Sequence, residues 1–415
     1  VSTLNLSLYD PMVKDHYSGE GVANAAFQGN AALGMIKKSR KRPGGGKKWI
    51  QPIQYGMPGG GSSTFSVAIT NAVANTSDFE AFEVTRKKHY RLAKVDNETI
   101  EATADGNIDA FEPAFDEFDR GLEAEGNWIN FRFFRDSGGS FARSTTATNV
   151  ATAVMTVDDR SGLWAIKPGD VVKLSPNQDG TSLRTGSLTV LSVQRTAGTI
   201  TFTGNITAGV AAAVNTDFVF LDGDATLAPS GLADWIPSTA PTSTAYYGVN
   251  RSLEPEMLGG VRVDGTDGRS VFELMIDMLS EAGNFGAKPN TWWMHPITFG
   301  QAAKQLEGKW MINQAAGYDG KKMASIGYSG YSINIDGVEG TVYTDRMMPL
   351  NRIYALTWDT WVMFSAGPAP NFLQKRAGSI IKVSEGSDDY EARIGCYMNF
   401  SCKWPGGNVV GLKNA

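Results

Sequence analysis

From Tyr390 to Trp404 the even-numbered positions are apolar or small (Tyr390, Ala392, Ile394, Cys396, Met398, Phe400, Cys402, Trp404), and the odd-numbered ones are mostly polar (Glu391, Arg393, Tyr397, Asn399, Ser401, Lys403). This period of two predicts a strand with one buried face, running roughly 50 Å at about 3.3 Å per residue. Far upstream, Phe111, Phe115, Phe118, Leu122, Ile129 and Phe133 recur at helical spacing through a segment dense in Asp and Glu. They predict an amphipathic helix of about 36 Å, capped by Asp109 or by Glu112 with Pro113, and ended by Ser137-Gly138-Gly139. Two long elements with one apolar side each predict a thin plate, with the helix laid across a sheet.

Before the helix, residues 1–46 lack periodicity and end in a basic, glycine-rich run: Lys37, Lys38, Arg40, Lys41, Arg42, then Pro43 to Gly46 and Lys47-Lys48. The composition predicts an extended arm. Trp49 to Tyr55, a turn-forming stretch from Met57 to Ser63, and the alternating Phe65, Val67 and Ile69 predict a β-hairpin. Phe82 to Val95, with Arg86, Lys87, Lys88, His89, Arg91 and Lys94, predicts a third strand. An isolated two-strand ribbon is marginal in water, so this unit is expected to lean on another copy of the chain.

Thr145 to Asp224 turns to Thr, Val, Ala and Gly, with short strand signals at 171–174, 188–193, 199–202 and 217–221. They predict a small all-β insertion. Ala228 to Tyr247 reads as a loop. Ser270 with Glu273 opens the stripe Val271, Leu274, Met275, Met278, Ala282 and Gly283 closes it, which predicts a helix with a capping box. Strands are expected at 291–294, 331–335, 341–344, 353–356 and 380–383, and a second helix from Pro296 to near Leu306.

The 415 residues, 42% hydrophobic and 20% charged, suit a folded protein of two or three domains. No apolar run approaches the roughly 20 residues that cross a bilayer, and the first residues lack a signal-peptide pattern, so synthesis in the cytoplasm and no membrane partner are expected. The net charge of -5 argues against a protein that coats nucleic acid with positive charge. Cys396 and Cys402, on one face of a strand about 20 Å apart, are too distant to bridge. His16, His89 and His295 have no partner at metal-ligand spacing, and Asp264-Gly265-Thr266-Asp267-Gly268 lacks the glutamate of a calcium loop and predicts a turn. No catalytic, cofactor or metal residue is therefore assigned. The charges that remain suggest contact between copies: the basic arm (Lys37, Lys38, Arg40, Lys41, Arg42, Lys47, Lys48) against the helix face bearing Asp109, Glu112, Asp116, Glu117, Asp119 and Glu123.

The order of arm, hairpin, acidic helix, α/β lobe and long return strand resembles the major capsid proteins of tailed double-stranded DNA bacteriophages, the Hong Kong 97 (HK97) fold. Trp49-Ile50-Gln51-Pro52-Ile53, Phe111 to Arg135, Thr291 to Pro296, Thr344 to Leu356 and Tyr390 to Pro405 carry the likeness. The resemblance implies an α+β fold: N-terminal arm, 1–46; extended E-loop hairpin, 47–96; P-domain with spine helix, 97–144; inserted all-β domain, 145–228; A-domain, 229–375; return to the P-domain strand, 376–415. It further implies a non-enzymatic subunit forming hexamers and pentamers of an icosahedral virion shell. Implied partners are other copies, a separate scaffolding protein, a portal protein, a decoration or cement protein, and packaged DNA through weak contact. The E-loop assembly residues would be Trp49, Ile53, Tyr55, Met57, Phe65, Val67, Ile69, Arg86 and Lys88. Other readings are an encapsulin-like container and a tail-associated enzyme or carbohydrate-binding protein.

Overall fold

The computed structural model describes residues 30–39, 48–57, 59, 61–74, 78–95, 112–305, 314–316, 322–324, 332–335, 338–373, 381–383 and 389–414. The long strand, Tyr390–Cys402, is the axis of a six-stranded sheet. Lys87–Val95 runs antiparallel along one edge; Trp361–Ser365, Asn371–Phe372 and Ile381–Val383 pair antiparallel along the other. The helix Glu112–Phe133 lies across this sheet, packing Phe118 and Leu122 on Ala93, Phe372, Ala392 and Ile394. Gly121 permits the close approach, since a Cβ there would stand 3.1 Å from the Ile394 side chain.

The polar side of the long strand, expected to face solvent, is buried as well: Glu391, Asn399 and Ser401 are all enclosed. Over Asn399 the cover lies in Ala228 to Tyr247, expected as a loop, which contains the short helix Leu232–Trp235 and buries Leu232, Trp235 and Ile236 completely. Asn399 makes this face habitable. Its Oδ1 accepts from the Ser230 amide (2.9 Å), and its Nδ2 donates to the Thr85 carbonyl (2.7 Å) and the Tyr247 hydroxyl (3.0 Å). A polar residue so satisfied can be buried at little cost. Cys396 and Cys402 are free and buried, and desolvation drives the Cys402 thiol up to about 12.

The last turn of the long helix plunges into the centre of the molecule. Phe131, Arg132, Phe133 and Phe134 are consecutive and all buried. Phe133 packs on Phe400 (ring centroids 5.0 Å) and Trp361 (5.7 Å), and Phe134 on Trp293 (6.0 Å). This aromatic hub ties helix, long sheet and α/β lobe together.

The inserted module is a six-stranded sheet in the order Ser140–Arg143, Phe218–Leu221, Val171–Ser175, Leu188–Gln194, Thr199–Phe202, Val154–Thr156. It begins five residues before the expected Thr145, because Ser140–Arg143 pairs with Phe218–Leu221. Its core is continuous with that of the helix end. The buried Arg132 holds both ends of the module, donating to the Ser140 carbonyl (3.3 Å) and the Asp224 carboxylate (2.8 Å).

The lobe has a mixed sheet in the order Val261–Asp264, Val409–Leu412, Arg352–Leu356, Thr291–Met294, Val338–Thr344, Ser332–Ile335. Helix Val271–Asn284 buries its stripe, and its capping box is formed: the Ser270 hydroxyl accepts from the Glu273 amide, whose carboxylate accepts from the Ser270 amide. It runs past the expected stop at Gly283, and the left-handed residue is Gly286 at φ +72°. Helix Pro296–Gln305 opens on His295, whose Nδ1 accepts from the Ile297 amide (3.1 Å), and burial lowers the pKa of this imidazole. Two boundaries differ from expectation. Trp361–Ser365 and Asn371–Phe372, placed in the lobe by the sequence, belong to the long sheet; Val409–Leu412, placed with the long strand, returns to the lobe between Val261–Asp264 and Arg352–Leu356. In both cases the register with distant strands, invisible locally, decides.

Candidate assembly surfaces

The projecting hairpin is built from Lys48–Gln54 and Phe79–Thr85, antiparallel from the pair Lys48 and Thr85 to the pair Gln54 and Phe79. The expected strand at Phe65 to Ile69 is instead the start of a helix, Phe65–Ala74. Its first turn is set by Thr64, whose carbonyl accepts from the Ala68 amide (3.0 Å) and whose amide donates to the Ser62 hydroxyl (3.1 Å). The expected single strand from Phe82 to Val95 is two, broken at Arg86: the first closes the hairpin, the second edges the long sheet.

One face of the hairpin is anchored in its own subunit. Trp49 stacks on Phe364 (5.6 Å, 14°), and Phe82 meets Trp235 edge-on at 5.0 Å. Trp49 and Ile53 are buried, so the structure corrects their reading as residues turned toward a neighbour: they hold the hairpin base to its own body. Tyr55 is half-buried, whereas Met57, Phe65, Val67 and Ile69 are exposed. Arg86 is half-buried with its guanidinium 5.7 Å from the Tyr397 ring, and Lys88 is exposed.

Of the basic run, Lys37 and Lys38 are exposed and lie in the strand Lys37–Ser39, parallel to Trp361–Ser365, rather than in a loose arm. Lys48 is exposed and ion-pairs with Glu83 of its own hairpin. Arg40, Lys41, Arg42 and Lys47 lie outside the described residues, as does Asp109. On the long helix, Glu117, Asp119 and Glu123 are exposed; Glu112 and Asp116 lie in its first turns, their side chains outside the described residues.

A buried ionic cluster escaped the sequence reading. Glu125, completely enclosed, receives His89 Nδ1 on both oxygens (2.8 and 2.9 Å) and Arg91 Nε at 3.3 Å. The His89 ring stacks on Trp128 at 3.7 Å and 13°. These residues pin the long helix to the edge strand. Their sequence separation, 34 and 36 positions, leaves no local signal.

A polar cleft of about 180 Å³ opens where helix end, insert and lobe meet, lined by Arg135, Asp136, Asp158, Asp159, Gln178 and Arg352 among others. Its charges serve one another: Arg135 pairs with Asp159 (2.9 Å), and Asp158 accepts from the Arg143 amide (3.1 Å). Among the described residues no cluster of His, Cys, Asp or Glu could hold a metal ion, and no helix is long and apolar enough to cross a membrane. Asp264 accepts from the amide and hydroxyl of Thr266, forming the expected turn.

Long helix across a long-strand sheet, projecting hairpin and α/β lobe together are the HK97-like capsid fold. Over 92% of both chains the structure is similar to a subunit of the cyanophage A-1(L) capsid, with 14% identity and a TM-score of 0.51. Looser similarities are to the SrpI encapsulin of Synechococcus elongatus PCC 7942 (7% identity, 92% and 86% of the two chains, TM-score 0.42) and a virus-like particle from Pyrococcus furiosus (10% identity, 96% and 97%, TM-score 0.38). No protein-family model and no curated protein matches the sequence.

Proposed function

We propose that this chain is the major capsid protein of a tailed bacteriophage. Copies join as hexamers and pentamers of an icosahedral head around double-stranded DNA, and the work is assembly rather than catalysis. The observation that carries this reading is the projecting hairpin, which keeps one face in its own subunit and leaves Ile50, Met57, Phe65, Val67, Ile69 and Phe79 bare. Soluble monomers seldom tolerate such a run of exposed apolar groups, whereas a subunit repeated by symmetry covers each at a neighbour. Weak contacts summed over many copies then give a rigid shell. The basic run from Lys37 to Lys48 and the exposed Glu117, Asp119 and Glu123 supply a charge-matched contact between copies, weakened by salt. A scaffolding protein, a portal at one vertex and a decoration protein complete the set of partners; the DNA touches the wall weakly, and the finished location is the virion.

Electron microscopy of the chain expressed with its scaffold tests the reading. Closed shells are expected, and deletion of Gly56 to Thr64 is expected to leave folded subunits that form none. Normal shells from the deletion variant would remove the hairpin from the mechanism. Particles filled with protein cargo, and lacking a portal vertex, would favour an encapsulin-like container.

A further inference from the structure

Where the insert meets the α/β lobe, two arginines close on one partly exposed indole. Trp164, 42% exposed, lies in the short 3-10 helix Arg160–Ala165 of the insert. Arg195, in the turn after Leu188–Gln194, has its guanidinium 4.8 Å from the indole centroid, and Arg346 of the lobe stands at 4.6 Å. A guanidinium over a ring uses its face, which leaves its N–H donors at the edge. Few of these donors are spent: Arg195 Nη2 donates to the Ile166 carbonyl (3.0 Å) and Arg160 Nη1 to the Thr196 carbonyl (2.9 Å), while the Arg346 guanidinium meets no acceptor among the described residues. None of the three has a carboxylate within ion-pair distance among those residues. Asp345, beside Arg346 in sequence, accepts instead from Asn130 Nδ2 (2.7 Å) and the Met347 amide (2.8 Å).

The polar cleft continues this seam, because Arg135 in its wall pairs with Asp159, the residue before Arg160. Inside the cleft Arg135, Arg143 and Arg352 are balanced by Asp136, Asp158 and Asp159. Beyond it Arg160, Arg195 and Arg346 add an uncompensated positive charge to a chain whose net charge is -5. Guanidinium edges match carboxylates and phosphates alike. The aspartates decide between them. Duplex DNA presents one negative charge per about 1.7 Å of axis and no positive one, so it would meet repulsion at the cleft. An acidic peptide can set carboxylates against the free arginines and a lysine of its own against the aspartates. A tryptophan framed by arginines is also the composition that concentrates binding energy between proteins. The exposed acids of the chain's own long helix are matched to the basic run above, which leaves the seam to a different protein.

We infer that the seam between insert and lobe, centred on Trp164, Arg160, Arg195 and Arg346, docks an acidic, lysine-containing peptide segment of a separate protein. The test uses the full-length chain and a short fluorescein-labelled peptide of repeated Glu-Glu-Lys that also carries a photoreactive benzophenone. After irradiation, adducts located by mass spectrometry of tryptic fragments should fall on 160–166, 195–198 or 344–352; adducts confined to other surfaces overturn the inference. By fluorescence anisotropy, Arg195→Gln combined with Arg346→Gln should weaken the peptide's binding at least about tenfold, and added salt should weaken it further in the unsubstituted chain. Lys173→Gln, elsewhere on the insert beside Asp222, should change it less than about twofold. Should the double variant lower the midpoint of thermal unfolding, Arg160→Gln leaves the ring contacts in place and should still weaken binding about threefold or more. No loss from either seam variant, or an equal loss from Lys173→Gln, overturns the inference. A duplex oligonucleotide that binds more tightly than the peptide and is lost in the same variants would make the seam a nucleic-acid site. Seam variants that disturb self-association but not peptide affinity would make it a contact between copies. Either result overturns the inference, and none of these measurements requires that shells form.

Discussion

Removing the Glu125 carboxylate tests how the long helix is fixed to its sheet. The side chain is wholly enclosed and balanced by His89 and Arg91, whose side chains are 17% and 31% exposed. Breaking a buried ion pair costs about 3–5 kcal/mol when the surviving charge stays buried. Here Arg91 reaches solvent, so Glu125→Ala should fall below that range, about 2–3 kcal/mol, part of it from lost packing. Glu125→Gln, which keeps the shape and one hydrogen bond to the ring, should cost less. The decisive quantity is the coupling: in a double-mutant cycle, Glu125→Leu with His89→Phe should cost at least about 1 kcal/mol less than the sum of the singles, because neither side of the ring–carboxylate contact is left without the other and Arg91 reaches solvent. Urea unfolding of unassembled subunits, followed by tryptophan fluorescence, measures each corner. A zero coupling energy, or a Glu125→Ala cost under about 0.5 kcal/mol, would show that the cluster does not hold the helix.

Three further outcomes are expected. Burial first, then the neighbouring Asp136 carboxylate, lifts Asp234 from 3.8 to about 7. The folded chain therefore holds a proton that the unfolded chain has lost, so its stability is fullest below about pH 4 and falls as pH rises to about 7. Asp234→Asn, which can still accept from the Ser137 amide, should flatten that slope in denaturation profiles; an unchanged slope rejects the assignment. A Cβ at Gly231 would stand 2.3 Å from the carbonyl oxygens of Arg132 and Phe133 and 2.4 Å from that of Arg135, at an ordinary φ of -89°. Gly231→Ala should therefore cost about 3 kcal/mol or more through overpacking, seen as a lower midpoint of thermal unfolding. Ser270→Ala removes one half of the capping box and should cost about 1 kcal/mol, with faster amide exchange in the first turn of Val271–Asn284.

Where local pattern and packing coincide, the sequence is a sufficient guide. Thr291–Met294, the capping box at Ser270 and four of the six strands of the insert fall at or within a residue or two of their expected places, because each is bounded by its own turn or cap, whereas Ser140–Arg143 and Val154–Thr156 carry no such signal. The Phe65 to Ile69 segment shows the limit. Its apolar residues alternate, but Phe65 and Ile69 also sit four apart, so periods of two and 3.6 fit equally. With no strand beside it among the described residues to bury either face, the turn at Ser62 and Thr64 starts a helix instead. The hairpin's second strand, Phe79–Thr85, starts three residues before the expected strand from Phe82 to Val95 and overlaps only its beginning.

The buried polar side of the long strand marks a second limit, and it bears on the whole plate. Asn399 and Glu391 look solvent-facing because polarity in sequence records what a side chain can bond, not whether the partner is water. Asn399 finds Ser230, Tyr247 and Thr85, and through them joins the long strand to the covering segment and to the end of the hairpin's second strand. That one amide thus fixes where the hairpin leaves the body, much as Trp49 on Phe364 fixes its base. A projecting element meant to reach a neighbour must be aimed by rigid contacts behind it, because freedom at its root would have to be surrendered on every docking event. The buried asparagine and the stacked tryptophan supply that aim, and the uncharged tip beyond Tyr55 is free to be the part that touches another copy.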